Sequence, residues 1–258
     1  MSGSPTIRQR LDVLIALTIS DIRVRYGRGR FRVVKWLIDP LAALGVYLVL
    51  VSFAVSKSGD ARGLSIACAV VPFQLVIATA VNSMSSVLSR RNVVLNMGFD
   101  KTLIPVSSVL TETAVFIADL ALIVMTMAIY RVAPTTAILW FPLIFVVTVV
   151  FALGFAYPLT VFGVWYPELR LFGVSALRTL FFIAAALIPL ASVEGNAHWL
   201  LQINPLTEIF ESYRDVFLYG RAPSALNVLY PLAFAGLLLA AFAPLYRREQ
   251  RQFAKVVD

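Results

Sequence analysis

After Asp39-Pro40 the sequence carries no charged residue until Lys57. A run of this kind, approached through Trp36-Leu37-Ile38, can cross roughly 30 Å of hydrocarbon as a helix, whose backbone hydrogen bonds close within the segment. Directly before it stand Arg23, Arg25, Arg28, Arg30, Arg32 and Lys35. Cations at one end of a span hold that end in the cytoplasm, so the N-terminal side is expected inside, and the direction of every later span follows. Further upstream, Ile7, Leu11, Leu14, Ile15, Thr18, Ile22 and Tyr26 recur at helical spacing. Arg8, Gln9, Asp12, Asp21, Arg23 and Arg25 fall largely off that face. This is the pattern of a helix lying in the headgroup plane. Residues 1–32 are therefore expected to form a cytoplasmic amphipathic helix with a basic arm, and residues 33–258 a transmembrane domain.

The apolar pattern recurs five more times. The expected fold is an all-α integral membrane protein with spans at about 33–55, 63–87, 106–130, 136–164, 171–190 and 225–246. Pro40 should bend the start of the first span, because it donates no backbone N–H. Aromatic residues bracket the fourth, with Trp140, Phe141 and Phe145 at one end and Tyr157, Phe162, Trp165 and Tyr166 at the other, as interfacial belts require. Between the fifth and sixth spans, residues 191–223 are amphipathic. There Pro205 opens a helix predicted over 206–218, with Asn204 as its cap. Such a segment can enter the outer leaflet as a re-entrant element where protein covers its backbone.

Charge placement agrees with this topology. Inside stretches hold the cations from Arg8 to Lys35, then Arg90, Arg91, Lys101, Arg170, Arg247, Arg248, Arg251 and Lys255. Outside stretches hold only Lys57, Arg62, Arg131, Arg214 and Arg221. Both termini are expected in the cytoplasm of a cell whose plasma membrane the protein crosses several times. The net charge of +8 could suggest nucleic acid, but the cations sit at the ends of apolar runs, so no nucleic-acid partner is expected. Charged residues make up 14% of the chain, against about 25% in soluble domains. Residues 7–22 lack the small-residue cleavage site of a signal peptide, and no processing is expected.

The polar residues within this frame are few. Asn82, Ser83, Ser85 and Ser86 cluster near the end of the second span, where they suit either helix–helix hydrogen bonding or a wet lumen. Glu112 and Asp119 lie seven residues apart on one face of the third span. An ionised carboxylate near mid-bilayer costs about 2.5–3.5 kcal/mol, so that face should look into the bundle or a water-filled space. Arg178 and the second span's hydroxyls are the candidate partners, and the pair reads first as structural and second as transport-active. Residues 88–105 are too polar for lipid and carry a short amphipathic pattern in Val93, Val94, Leu95 and Met97. Such a helix in a cytoplasmic loop either lies against headgroups or docks a partner.

Missing chemistry narrows the class. There is no G-x-x-x-x-G-K-[ST] phosphate loop, so the chain is not expected to hydrolyse ATP. No G-x-S-x-G or H-E-x-x-H occurs. His198 and Cys68 are the only residues of their types, which leaves few nucleophile–base pairs, no disulfide and no metal cluster. No catalytic residue, cofactor or metal is assigned to this chain. A small bundle of six spans would close a wide path only with a second copy, and symmetry is the default for oligomers.

Three motifs then carry a resemblance. Asp21-Ile22-Arg23-Val24-Arg25-Tyr26 is similar to a D-[IL]-[KR]-x-R-Y pattern, Trp36-Leu37-Ile38-Asp39-Pro40-Leu41 to W-x-[IL]-x-P-L, and Asn204-Pro205-Leu206 with Tyr213-Arg214 to N-P-[LM]…[YF]-R. In this order, across six spans, they resemble the permease subunits of ABC-2-type exporters in the polysaccharide branch (the Wzm, KpsM and TagG type). The resemblance implies an interface helix containing Asp21, Arg23, Arg25 and Tyr26. It implies a coupling helix around Arg90, Arg91, Asn92, Met97, Asp100 and Lys101, seated in a separate ATP-binding subunit. It also implies an outer gate with Asn204, Pro205, Glu208, Glu211, Tyr213 and Arg214. The assembly would be two permeases with two ATPases, which bind ATP and Mg2+ themselves.

The expected activity is outward movement of a polysaccharide, with a lipid-linked cell-wall or surface glycan as the expected cargo. An Ala-, Val- and Arg-rich, Lys-poor composition suits a GC-rich genome such as an actinobacterium's, and with it a galactan. Aromatic faces slide along sugar rings without demanding one hydrogen-bond pattern, and Tyr47, Phe53, Phe73, Phe181 and Phe182 are the candidate lining, or else packing residues. Two alternatives stand beside this: a permease of the same fold for a small drug, lipid or peptide, and a membrane-bound glycan- or lipid-modifying enzyme.

Overall fold

The computed structural model of the chain describes residues 6–26, 61–96, 99–166, 168–187, 189–193, 195–250 and 252–253, with single positions between 38 and 49. The first expected span, with Tyr47 and Phe53, lies outside the described residues apart from those positions. So do Met97 and the cations from Arg28 to Lys35. The described residues form helices and turns, with no strand among them. The helices are α1 (Ile7–Tyr26), α2 (Arg62–Ser89), α3 (Arg91–Asn96), α4 (Leu103–Ile129), α5 (Phe141–Trp165), α6 (Leu169–Ile183), α7 (Asn196–Gln202), α8 (Pro205–Phe217) and α9 (Ala225–Glu249). One 3-10 turn, Thr136–Trp140, leads into α5 and another, Leu190–Ser192, follows α6.

Among the described residues, four helices are long and apolar enough to cross a membrane: α2, α4, α5 with its leading turn, and α9. The chain is a multi-pass membrane protein by this measure. At 1.5 Å per residue the 28 residues of α2 reach about 42 Å, beyond a 30 Å core. α2 sits centrally, packed against α4, α5, α6 and α8. Its side chains are buried along nearly the whole length, while α9 packs on α5 from outside and leaves most of its surface free. Small residues set the spacing. A Cβ on Gly163 of α5 would collide with the backbone of Met84 on α2, so only glycine allows the two helices this contact. Gly154 rests in the same way on the backbone of Ala235 in α9.

The fifth expected span differs. Over 171–190 one spanning helix was expected, closed by Pro189. Instead α6 ends at Ile183, and Ala184 is extended, with ψ 143°. Its 15 residues reach about 22 Å, short of the hydrocarbon thickness. Pro189 bars a helical turn over itself but not over the residues before it, since the last carbonyls of any helix lack an intrahelical donor. The backbone groups at the earlier break are instead taken up by α8.

α1 packs along α4. It buries Leu17 and turns Asp21 partly inward, while Ile7, Leu11, Ile15 and Ile19 form an exposed row at helical spacing. That row suits a lipid surface. At the same end of the bundle a second small core joins Val87, Val94, Ile104, Val161, Val164, Tyr246 and Phe253.

Candidate functional site

Two clusters, one at each end of the bundle, hold most of the sequence-selected residues. At the α1 end, Arg90 follows the last residue of α2 and joins three elements. Its Nε donates to Asp21 Oδ1 at 3.2 Å, and a terminal nitrogen donates to Asp21 Oδ2. The other terminal nitrogen donates to the carbonyl of Ser86 at 3.2 Å, and Ser107 Oγ on α4 receives a further bond at 3.1 Å. Interface-helix Asp21 and coupling-loop Arg90 are thereby brought together, although 69 residues separate them. A second pair links the same elements: Arg10 of α1 lies 3.6 Å from Asp100.

The loop between α3 and α4 is held firmly. Asp100 Oδ1 accepts the backbone N–H and the hydroxyl of Thr102, at 3.1 and 2.7 Å, which turns the chain into α4. Tyr246 of α9 donates its hydroxyl to the carbonyl of Lys101 at 2.8 Å, and the Lys101 ammonium reaches the carbonyl of Gln250 at 3.5 Å. Val94 is buried in the chain's own second core, so the apolar face of α3 is partly covered from within, while Leu95 and Arg91 stay exposed. Arg23 is exposed on α1; the side chains of Arg25, Tyr26 and Asn92 lie outside the described set.

At the other end, α8 presents a stripe of Asn204, Thr207, Glu211 and Arg214, spaced three, four and three. Asn204 Oδ1 accepts the N–H of Leu206 at 3.1 Å and caps α8, whose first helical residue is Pro205. Its amide donates to the carbonyl of Leu180 at 2.8 Å. Thr207 Oγ1 accepts the N–H of Ala185 at 3.3 Å. Arg214, 0% exposed, donates to the carbonyls of Ala185 and Ala186 at 2.5 and 2.7 Å, to Glu211 at 2.7 Å and to Ser65 Oγ of α2 at 3.0 Å. Glu211 also accepts the N–H of Leu190 at 2.9 Å. The stripe thus satisfies the backbone groups that the break after α6 releases. Tyr213 is buried beside it and shares a hydrogen bond with Thr148 at 3.2 Å.

Glu208 is 1% exposed, and its Oε1 has no hydrogen-bond partner among the described residues. Burial, reinforced by the charges of Glu211 and Asp215, pushes its carboxyl up to about 7. Asp215 is held by the Nε of Arg221 at 2.6 Å and by the amide of Asn227 at 3.3 Å.

Glu112 and Asp119 are both buried in the bundle, at 2% and 3%. Glu112 Oε1 accepts from the amide of Asn82, on the second expected span. Arg178 is exposed on α6. Of the three described aromatic candidates, Phe73 and Phe181 are buried against each other, with ring centroids 4.4 Å apart. Phe182 is 53% exposed and meets the Phe181 ring edge-on, with centroids 5.5 Å apart.

Reading the sequence missed Ser65, Thr207 and Tyr246. Thr207 alone had a signal, its register with Asn204 and Arg214 on one face of α8. The partners of the other two are 149 and 145 residues away in the chain, which no local pattern encodes.

No protein-family model matches the chain. Comparison with known proteins finds two O-antigen export system permease proteins RfbA from Klebsiella pneumoniae, 22% and 21% identical, and one from Myxococcus xanthus, 23% identical. In each case the alignment covers 95% of this chain and 95% of the relative. The likeness agrees with the resemblance carried by the motifs, that to polysaccharide-export permeases of the ABC-2 type.

Proposed function

We propose that this chain is the membrane-spanning permease subunit of an ATP-driven exporter that moves a polysaccharide outward across the plasma membrane. The observation that carries the reading is the full-length similarity to O-antigen export permeases. The four long apolar helices and the row of exposed aliphatic residues on α1 support it. Hydrolysis of ATP, with its Mg2+, falls to a separate ATPase subunit, and the working assembly is two copies of each, with both termini of the permease in the cytoplasm.

In this reading the end of the bundle bearing α1 and residues 90–104 faces the ATPase. Movement of the ATPases reaches the spans through rigid connections: Arg90 binds α1 to α2 and α4, and Tyr246 binds the loop to α9. The α8 stripe, at the opposite end, acts as the outer gate. The cargo is a lipid-linked cell-wall or surface glycan, for which a galactan is one fitting polymer.

The test is co-purification from the native membrane. A Walker-motif ATPase should accompany the chain, and replacing residues 89–103 with a Gly/Ser linker should abolish the association. An ATPase that binds equally well to the replaced loop overturns the coupling assignment. Depletion of the chain should leave an undecorated glycan accumulating inside the cell. Depletion that changes no surface glycan removes the export reading itself.

A further inference from the structure

A recess of about 350 Å³ lies between α1, α2 and α4, at the end of the bundle that carries Arg90. Its volume is at the lower end of the range of small-molecule sites. Asp21 and Arg90 form part of the wall with Asn82, whose amide donates to Glu112, and most of the rest is hydroxyl: Ser20 on α1, Ser85 and Ser89 on α2, Ser108 and Thr111 on α4.

The hydrogen bonds of this wall decide what it can recognise. Each hydroxyl has one proton and two lone pairs. Ser85 donates to the carbonyls of Val81 and Asn82, both at 3.3 Å, and Ser89 to that of Ser86 at 3.3 Å. Ser108 donates to the carbonyl of Ile104 at 3.2 Å, and Thr111 to that of Ser107 at 2.9 Å. Those four protons are therefore committed to the residues' own helices, and lone pairs remain for the recess. Four of the five N–H groups of Arg90 go to Asp21, Ser86 and Ser107. The wall is consequently rich in acceptors, with few donors and no uncompensated charge.

An anion such as phosphate finds no free clamp here. A primary ammonium finds no uncompensated charge, because the wall's carboxylate, Asp21, is already paired with Arg90. A neutral molecule carrying several hydroxyl donors fits both conditions. We propose that this recess is a carbohydrate subsite, holding one neutral sugar residue through its hydroxyls at Ser85, Ser108 and Thr111. The proposal deepens the export reading, on which it rests for the identity of the arriving molecule, by naming a holding point next to the Arg90–Asp21 connection.

The experiment uses the full chain with its co-purifying ATPase in phosphatidylcholine nanodiscs, which bring neither sugar nor primary ammonium. Ser85→Cys is labelled with a maleimide; Cys68 is fully buried and should stay silent. Galactose and mannose are the probes, with ethanolamine and inorganic phosphate alongside. A sugar at about ten times its Kd should slow labelling roughly ten-fold, following 1 + [L]/Kd, while ethanolamine and phosphate leave the rate unchanged. Adding Thr111→Val should abolish the protection. Ser89→Cys, at the mouth, serves as a second reporter where Ser85→Cys fails to fold. Equal protection by ethanolamine or phosphate overturns the assignment, as does labelling indifferent to every sugar. ATPase association is read on the same preparations: its presence with no sugar protection removes the subsite alone, and its absence removes the export reading.

Discussion

Arg90, immediately after α2, grips both carboxylate oxygens of Asp21 on α1, while the same guanidinium bonds Ser107 on α4. One side chain thereby joins the surface helix to two spanning helices. The pair is largely removed from solvent, with side-chain exposures of 9% and 23%. Such a connection can pass a rigid displacement between elements, whereas an exposed pair would be worth little.

On the proposed export function, Arg90→Ala and Asp21→Asn should each separate hydrolysis by the ATPase subunit from transport. ATPase activity of the complex is expected to persist while glycan export falls. A double-mutant cycle on thermal unfolding should give a coupling of about 0.5–3 kcal/mol between the two positions. Strictly additive effects would show that the contact transmits nothing.

Arg214 should tolerate no substitution that keeps Glu211. Arg214→Met leaves a buried carboxylate and the carbonyls of Ala185 and Ala186 without their donor, at a cost of about 3–5 kcal/mol. Arg214→Lys should recover little, because an ammonium lacks the planar fork that reaches α2 and the α6 break together. The double variant Arg214→Met, Glu211→Met should recover part of the loss. Yield of monodisperse protein and thermal midpoint read all three, and a lysine variant as stable as the parent refutes the fork.

Glu208 supplies a pH dependence whose sign follows from its environment. Its carboxyl titrates near 7 when folded and near 4.5 otherwise, so the folded state favours the neutral acid. Below about pH 4.5 it is protonated in both states, and its contribution is intact. As pH rises through about 7 the buried group must ionise and stability is lost. Glu208→Gln should therefore match the parent in acid and exceed it by about 1–3 kcal/mol at mildly alkaline pH. Unfolding midpoints measured across that range should diverge; parallel curves would count against a buried, unpartnered carboxyl.

Gly163→Ala should separate α5 from α2, since the added carbon meets the Met84 backbone and not a yielding side chain. The expected loss is about 1–3 kcal/mol, the usual range for overpacking. Gly236→Ala, with open space around its Cβ, is the matched control and should be close to neutral.

Much of this architecture was readable in one dimension. The spans predicted at 63–87, 106–130, 136–164 and 225–246 correspond to the long helices within a few residues at each end. Lipid demands continuous apolar helix, and that demand is written locally in the chain. The Asn204-Pro205 start of α8 was equally legible, because a cap and its proline act on neighbouring residues. The extent of α6 was less so. The proline was visible, but the arginine that donates to the carbonyls of Ala185 and Ala186 belongs to a different segment.

Composition and charge order alone determined a membrane protein, four long apolar helices and an amphipathic helix ahead of them, since partition into hydrocarbon depends on residues close together in sequence. Only the tertiary structure decided that Arg90 would hold Asp21, that Arg214 would hold the broken end of α6, and that serine lone pairs would line one recess. Those contacts join residues tens to more than a hundred positions apart, and hydrogen bonds of a few ångströms exist only once the helices have packed.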